Sequence, residues 1–107
     1  MALTGKQLAD GQLAAAKATL YTTPAGTTTY VKSIICHNTH AANTNVAVLY
    51  VQPSGGTSRI IAKVALTPLD TLYVDDAIVL DTGDLIRGSA TNATEVDYAV
   101  FGAEETV

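Results

Sequence analysis

Charge, cysteine and tryptophan are all scarce in this sequence of 107 residues. Charged residues make up 15% of the chain, the net charge is −4, and there is one cysteine and no tryptophan. Hydrophobic residues make up 48%, which excludes an intrinsically disordered chain. The length predicts one domain with one modest core. A surface with so little charge suits contact with other proteins, because few charged groups lose their hydration on association.

The missing features also exclude several classes of partner. The six lysine and arginine residues are scattered, so no basic patch can displace counterions from nucleic acid, and we expect no nucleic-acid partner. The lone Cys36 cannot form an internal disulfide, which fits synthesis in a reducing cytoplasm. The N-terminus lacks the apolar region of a signal peptide, and no stretch approaches the ~20 apolar residues of a membrane span, so we expect no membrane partner.

Short β-rich segments separated by turn residues fill most of the chain. In residues 20–38, a Pro24-Ala25-Gly26 turn separates a short strand from the longest run of β-branched and aromatic residues. About eight strands at this spacing predict an all-β, antiparallel, jelly-roll-like sandwich, with an immunoglobulin-like topology as the alternative. The predicted strands cover residues 17–23, 27–38, 46–52, 58–65, 71–74, 77–80, 84–89 and 95–102.

Alternation predicts which side chains face the core in the last strand but leaves the second strand open. Val96, Tyr98 and Val100 fall on one face of the last strand. The adjacent Ile34 and Ile35 leave the register of the second strand open, and a β-bulge would accommodate both of them.

Residues 1–16 are the ambiguous part of the chain. Gly5 and Gly11 interrupt a weak helical pattern, so we interpret the segment as an extended N-terminal arm. Its leucines cannot bury one another in an extended chain, which predicts that the arm docks on a partner and that the sandwich folds without residues 1–12. The residues predicted to contact a capsid or a neighbouring subunit, for the reason given below, are Leu3, Lys6, Leu8, Leu13 and Lys17.

This interpretation divides the chain into three parts. The arm at residues 1–16 is followed by the β-sandwich domain at residues 17–103 and a short acidic tail at residues 104–107.

The motif Asp81-Thr82-Gly83 resembles that of small viral aspartic proteases, which are β-rich homodimers in which each subunit supplies one aspartate. In that family the motif lies early and a flap follows it, whereas here it lies near the end of the chain. A turn between two strands explains the same residues, and three-residue motifs recur by accident. We therefore expect no enzyme activity and no catalytic residue.

Potential metal ligands are few. Cys36, His37 and His40 lie close in sequence, but adjacent strand residues point to opposite faces, and zinc needs three or four converging ligands. The four aspartates between residues 75 and 84 lack the regular spacing of a calcium loop. We therefore expect no metal and no cofactor.

The stretch LYTTPAGTTTYVKSIICHNTHAANTNVAVLYV resembles small β-sandwich virion proteins of tailed bacteriophages, as do the residues IVLDTGD and VDYAV further along the chain. The resemblance implies a structural virion protein, made in the host cytoplasm. It further implies binding to the outer surface of the capsid as a decoration, or cement, protein. The implied partners are the major capsid protein and further copies of the chain, with a trimer favoured and a dimer as the alternative. The alternative function is a neck, tail or fibre-associated β-sandwich, including one that binds carbohydrate.

Overall fold

The computed structural model describes residues 2–106, which form nine β-strands and no helix. The end residues of the predicted arm and tail, 1 and 107, lie outside the described residues. Within residues 2–106 there is accordingly no helix that could cross a membrane. The strands are β1 (Ala2–Gln12), β2 (Ala18–Thr22), β3 (Thr27–Asn38), β4 (Asn45–Gln52), β5 (Arg59–Leu66), β6 (Thr71–Val74), β7 (Ile78–Leu80), β8 (Leu85–Ser89) and β9 (Val96–Thr106).

The strands form two antiparallel sheets. Sheet A has the order β1-β9-β3-β6, with β7 also pairing with β3, and sheet B has the order β2-β8-β4-β5. Because β6 and β7 pair with successive parts of β3, they fill one strand position. Eight positions then run 1-8-3-6 in one sheet and 2-7-4-5 in the other, which is the jelly roll predicted from the sequence.

The core lies between the two sheets and is made of alternate residues from both. Val96 and Val100 of β9 face it, as predicted, and the partly buried Tyr98 packs against it. Burial of these apolar side chains is the main favourable term in folding. The buried core residues are Leu13, Tyr21, Val31, Ile34, Cys36, Ala47, Leu49, Leu66, Leu80, Ile86, Ala90, Val96 and Val100.

A β-bulge at Lys32 settles the register of β3. The pairing with β9 shifts between Val31 and Ser33, so that Val31 and Ile34 both face the core although they are three residues apart. Gly102 pairs with Val31 at this point, and a Cβ atom on residue 102 would lie 2.1 Å from the backbone oxygen of Tyr30. The two backbones therefore approach so closely that only glycine fits.

The segment predicted to be an arm is instead an edge strand of sheet A. It pairs with β9 along its length, from Ala2 opposite Thr106 to Gln12 opposite Asp97. It occupies the first strand position of the jelly roll. Gly5 and Gly11 disfavour a helix but do not prevent an extended strand, and the partner that selects the strand is almost a hundred residues away in sequence.

Strand ends differ from the predicted ones by a few residues. β9 continues to Thr106, so that Glu104 and Glu105 belong to a strand and not to the predicted tail. By contrast, β3 and β6 have the predicted bounds at both ends.

Candidate functional site

No pocket opens on residues 2–106, and no group of three or more His, Cys, Asp or Glu side chains among them could hold a metal ion. The outer surfaces of the two sheets are therefore the places where a partner can bind.

The outer face of sheet A is unusually apolar for a surface. Cross-strand pairing brings Tyr30 beside Val79 and Ala103, and Ile35 beside Tyr73. Tyr73 and Val79 are 63% and 60% exposed. Exposed apolar patches of this kind mark interaction sites. We call this surface the A face and define it by Tyr30, Ile35, Tyr73, Val79, Ala99, Phe101 and Ala103.

Acidic side chains accompany the A face. Alternation places Asp10 of β1 with Asp97 and Glu105 of β9 on the same outer side of sheet A. The Tyr30 hydroxyl donates a hydrogen bond to Glu105 Oε1 at 3.3 Å, and the charge of Glu105 raises the pKa of Tyr30. Only Lys32, at the bulge, adds a positive charge to the outer side of sheet A.

The outer face of sheet B has the opposite charge. Lys63 and Arg87 project from it, and the Lys17 ammonium lies 5.1 Å from the ring centroid of Tyr50. No aspartate or glutamate occurs in any strand of sheet B. We call this surface the B face and define it by Lys17, Tyr50, Ile60, Lys63 and Arg87.

Neutral side chains hold two of the B-face cations in place. Arg87 donates to Gln52 Oε1 at 3.1 Å, and Lys17 donates to Ser58 Oγ at 3.0 Å. Ser58 in turn donates to the same oxygen of Gln52 at 2.7 Å. The cations are thus ordered without any carboxylate, and their charge remains available to a partner.

The five residues predicted to bind a partner are not brought together. Leu13 is 1% exposed and packs in the core, so the prediction that it contacts a partner is wrong for this residue. The chain turns from sheet A into sheet B directly after β1, which carries Leu13 inward. Leu8 is half-buried against the core, whereas Leu3 is 64% exposed on the outer side of sheet A.

The two predicted lysines lie on opposite sheets. Lys6 belongs to β1 of sheet A and forms a salt bridge of 3.0 Å with Glu104, whereas Lys17 belongs to the B face. Partner binding by Leu3, Lys6, Leu8 and Lys17 remains a prediction.

A polar network joins the two sheets at one end of the sandwich. Tyr21 of sheet B shares a hydrogen bond of 2.8 Å with Thr29 and donates another to Glu104, the partner of Lys6. Burial, followed by the bond to Glu104, raises the pKa of Tyr21 from 10.0 to about 12. The hydrogen bonds from Tyr21 and Lys6 lower the pKa of Glu104.

A second polar network, not predicted from the sequence, ties three loops together at the other end. The amide of the fully buried Asn38 donates to the carbonyls of Asn43 and Leu66. The buried Asn45 donates to Asn38 Oδ1 and to Glu95 Oε1. The hydrogen bond from Asn45 and those from Asn43 and Asn92 lower the pKa of Glu95, and the one from Asn45 has the largest effect. In the sequence, the sign of this network was the presence of asparagines at strand ends. Asparagines are equally expected at such places because they favour turns.

The residues considered for catalysis and metal binding are dispersed over a turn, the core, a loop and the outer side of sheet A, where His37 pairs with Asp97. Asp81-Thr82-Gly83 forms the predicted turn, in which the Asp84 amide donates to the Asp81 carbonyl and Gly83 has φ of 85°. Cys36 is buried in the core, and burial raises its pKa from 9.0 to about 11. His37 bonds Thr71, while His40 Nδ1 accepts the backbone amides of its own loop.

The similarity of this chain to known proteins lies in its three-dimensional structure. No protein-family model and no curated sequence matches it. Among solved structures, it is similar to a protein of Bacillus endospore appendages, described as a novel family of disulfide-linked pili. The TM-score is 0.60 and the identity 13%, over 98% of this chain and 88% of the other.

A viral structure also shares the fold. The structure of the infectious bursal disease virus Gx strain matches with a TM-score of 0.53 and 12% identity, over 96% of this chain and 32% of the viral chain. A pentameric capsid protein from metagenomic phage sequences is 21% identical over 94% of this chain and 61% of its own, with a TM-score of 0.43. At these identities the likeness extends to the fold alone: the chain is a β-sandwich of the kind found in virus particles and also in pili.

Proposed function

We propose that this chain is a structural virion protein that binds the outer surface of a bacteriophage capsid and stabilises it. The observation that carries the proposal is the A face, an exposed aromatic and aliphatic surface on a protein without a pocket in residues 2–106. A flat sheet surface suits a broad protein partner better than a small molecule, which needs a concave site. The fold shared with a virus particle and the sequence resemblance to phage virion proteins support the same role.

The partner in this proposal is the major capsid protein. Decoration would stabilise the shell by mass action, since a protein that binds only the assembled form shifts the equilibrium toward it. The copies would lie on the capsid surface as a trimer, with a dimer as the alternative, after synthesis in the host cytoplasm. The exposed Leu3 lies on the same outer side as the A face and would extend the contact.

Binding to empty capsids tests the proposal. Capsids from source phage lacking this gene would be mixed with the purified chain and sedimented, then heated or diluted into low salt. We expect the chain to co-sediment and to raise the temperature at which the capsids break. Co-sedimentation with purified tails or fibres instead would favour the alternative location on the virion, and no effect on capsid stability would contradict the cement role.

A pair of matched variants locates the binding surface. Replacing Tyr73 and Val79 by threonine removes exposed apolar area while placing residues of high β-propensity in the two short strands, and we expect capsid binding to weaken at least tenfold. Ile60→Thr removes a similarly exposed side chain from the B face and serves as the control. Equal loss in both variants would show that the A face has no special role.

A further inference from the structure

The two outer faces are complementary in charge. The outer side of sheet A carries Asp10, Asp97 and Glu105 against one lysine, and the B face carries three cations and no acid. Within residues 2–106 the only salt bridge joins Lys6 and Glu104, so the charges of the two faces do not neutralise one another inside the chain.

The two faces are also complementary in apolar character. Ile60 is 56% exposed on the B face, where it pairs with Tyr50, and on the A face Tyr73 is 63% exposed while Tyr30 and Phe101 are 39% and 36% exposed. Contact between like faces would bring charges of one sign together in a desolvated interface, which costs free energy. Contact between unlike faces brings carboxylates to the preordered cations of Lys17 and Arg87.

We propose that the A face of one copy of this chain binds the B face of a second copy. The contact is heterologous, because the two copies use different surfaces, and the faces lie on opposite sides of the sandwich. Repetition therefore produces an open stack, in addition to any ring that copies form on a capsid. A copy attached to the capsid by its A face would still present its B face to another copy.

Interface size makes this association weak. The strands of sheet B are at most eight residues long, so its four strands cover about 26 Å by 19 Å, or about 500 Å². This is less than the roughly 800 Å² per partner of a standard stable interface. We therefore expect reversible self-association at high protein concentration, weakened by salt because exposed charges contribute to it.

Complementary variants test the proposal directly. Tyr73→Thr/Val79→Thr damages the A face, and Ile60→Thr/Lys63→Glu damages the B face. In sedimentation equilibrium at low salt we expect wild type to associate with rising concentration, and each variant alone to associate at least tenfold more weakly. An equimolar mixture of the two should form 1:1 dimers and nothing larger, since each variant retains one intact face. Lys63→Arg keeps the charge and should associate like wild type.

Three results would overturn the proposal. One is a wild type that stays monomeric at all concentrations, and another is a variant that by itself associates as strongly as wild type, as a two-fold symmetric contact between like faces requires. The third is loss of capsid binding in the B-face variant, because the B face would then be the capsid surface. Self-association and capsid binding both use the A face in these proposals. A B-face variant that still binds capsids but no longer self-associates therefore shows that the two kinds of binding can be tested separately. Far-UV circular dichroism confirms that every variant is folded.

Discussion

At the scale of single residues, the most informative group is a tyrosine that links the two sheets. Tyr21 bonds Thr29 and Glu104, and Glu104 also bonds Lys6 of the edge strand, so one hydroxyl ties together β2, β3 and β9. A buried hydroxyl of this kind is stabilising only while it stays protonated, because a phenolate would lie beside a carboxylate in a desolvated site. The network therefore predicts that the sandwich loses stability at alkaline pH.

We predict a loss of stability above pH 10 that depends on Tyr21. Its pKa is 10.0 ordinarily and about 12 in the folded chain, so its contribution is fully present below pH 10 and is lost as the pH rises toward 12. Cys36, raised from 9.0 to about 11 by burial, adds a loss in the same direction that begins at lower pH. Urea unfolding measured from pH 8 to pH 12 should show a steeper decline in wild type than in Tyr21→Phe, which retains Cys36. Identical slopes would contradict the role of Tyr21.

At the scale of elements, the edge strand β1 changes the interpretation of the N-terminus. Local sequence favours neither helix nor strand there, and the leucines of an isolated extended arm have nothing to cover them. In the folded chain β9 provides the backbone partner, and Leu8 and Ala9 pack against the core. The segment is therefore part of the folded sandwich, and Leu3 is the leucine that it leaves exposed.

Deleting residues 1–12 should therefore destabilise the sandwich, contrary to the expectation from sequence. The deletion exposes the edge of β9 and part of the core, and we expect a loss of about 2 kcal/mol or more, or roughly 10 °C in Tm. Thermal unfolding followed by far-UV circular dichroism measures it. Leu3→Ala, at an exposed position of the same strand, should change stability by no more than about 0.5 kcal/mol. An unchanged Tm in the deletion variant would restore the interpretation of the segment as a dispensable arm.

At the scale of the whole molecule, the pairing of β1 with β9 brings the two ends of the described residues together. Ala2 lies opposite Thr106 on neighbouring antiparallel strands. A short linker can close such a pair, as hairpin loops do. We therefore expect that joining these two strand ends by a linker, and opening the chain in a loop elsewhere, leaves both sheets unchanged.

We predict that a circular permutant with new ends between Gly55 and Gly56 folds to the same sandwich. A linker of about four residues would join the original ends. Both glycines are exposed in a turn between β4 and β5, so the cut affects the backbone hydrogen bond from Gly56 to Pro53 but no strand pairing. The control permutant opens the chain between Gly88 and Ser89, inside the central strand β8, and should fail to fold. Far-UV circular dichroism and urea unfolding measure the strand content and the stability of the two permutants. Equal strand content and stability in both would contradict the prediction that an intact β8 is needed for folding.

The sequence alone determined the features that depend on neighbouring residues. Turn residues such as Pro24 and Gly26, and the runs of β-branched residues between turns, establish the extents of β3 and β6 and the all-β class. These are properties of local backbone conformation, which each residue and its neighbours control. The inward positions of Val96 and Val100 follow in the same way from the two-residue period of a strand.

Tertiary structure decided everything that depends on pairing across the chain. Which strand lies beside residues 2–12, which side of sheet A stays uncovered and which polar atoms Asn38 meets are set by partners many residues away. Within β3, no local pattern distinguishes the core face of sheet A from the exposed face, because Ile34 and Ile35 are adjacent and equally apolar. The bulge at Lys32 and the pairing of β9 with β3 turn Ile34 toward the core and leave Ile35 beside Tyr73. Ile35 thus lies on the surface through which we propose that the protein binds its partners.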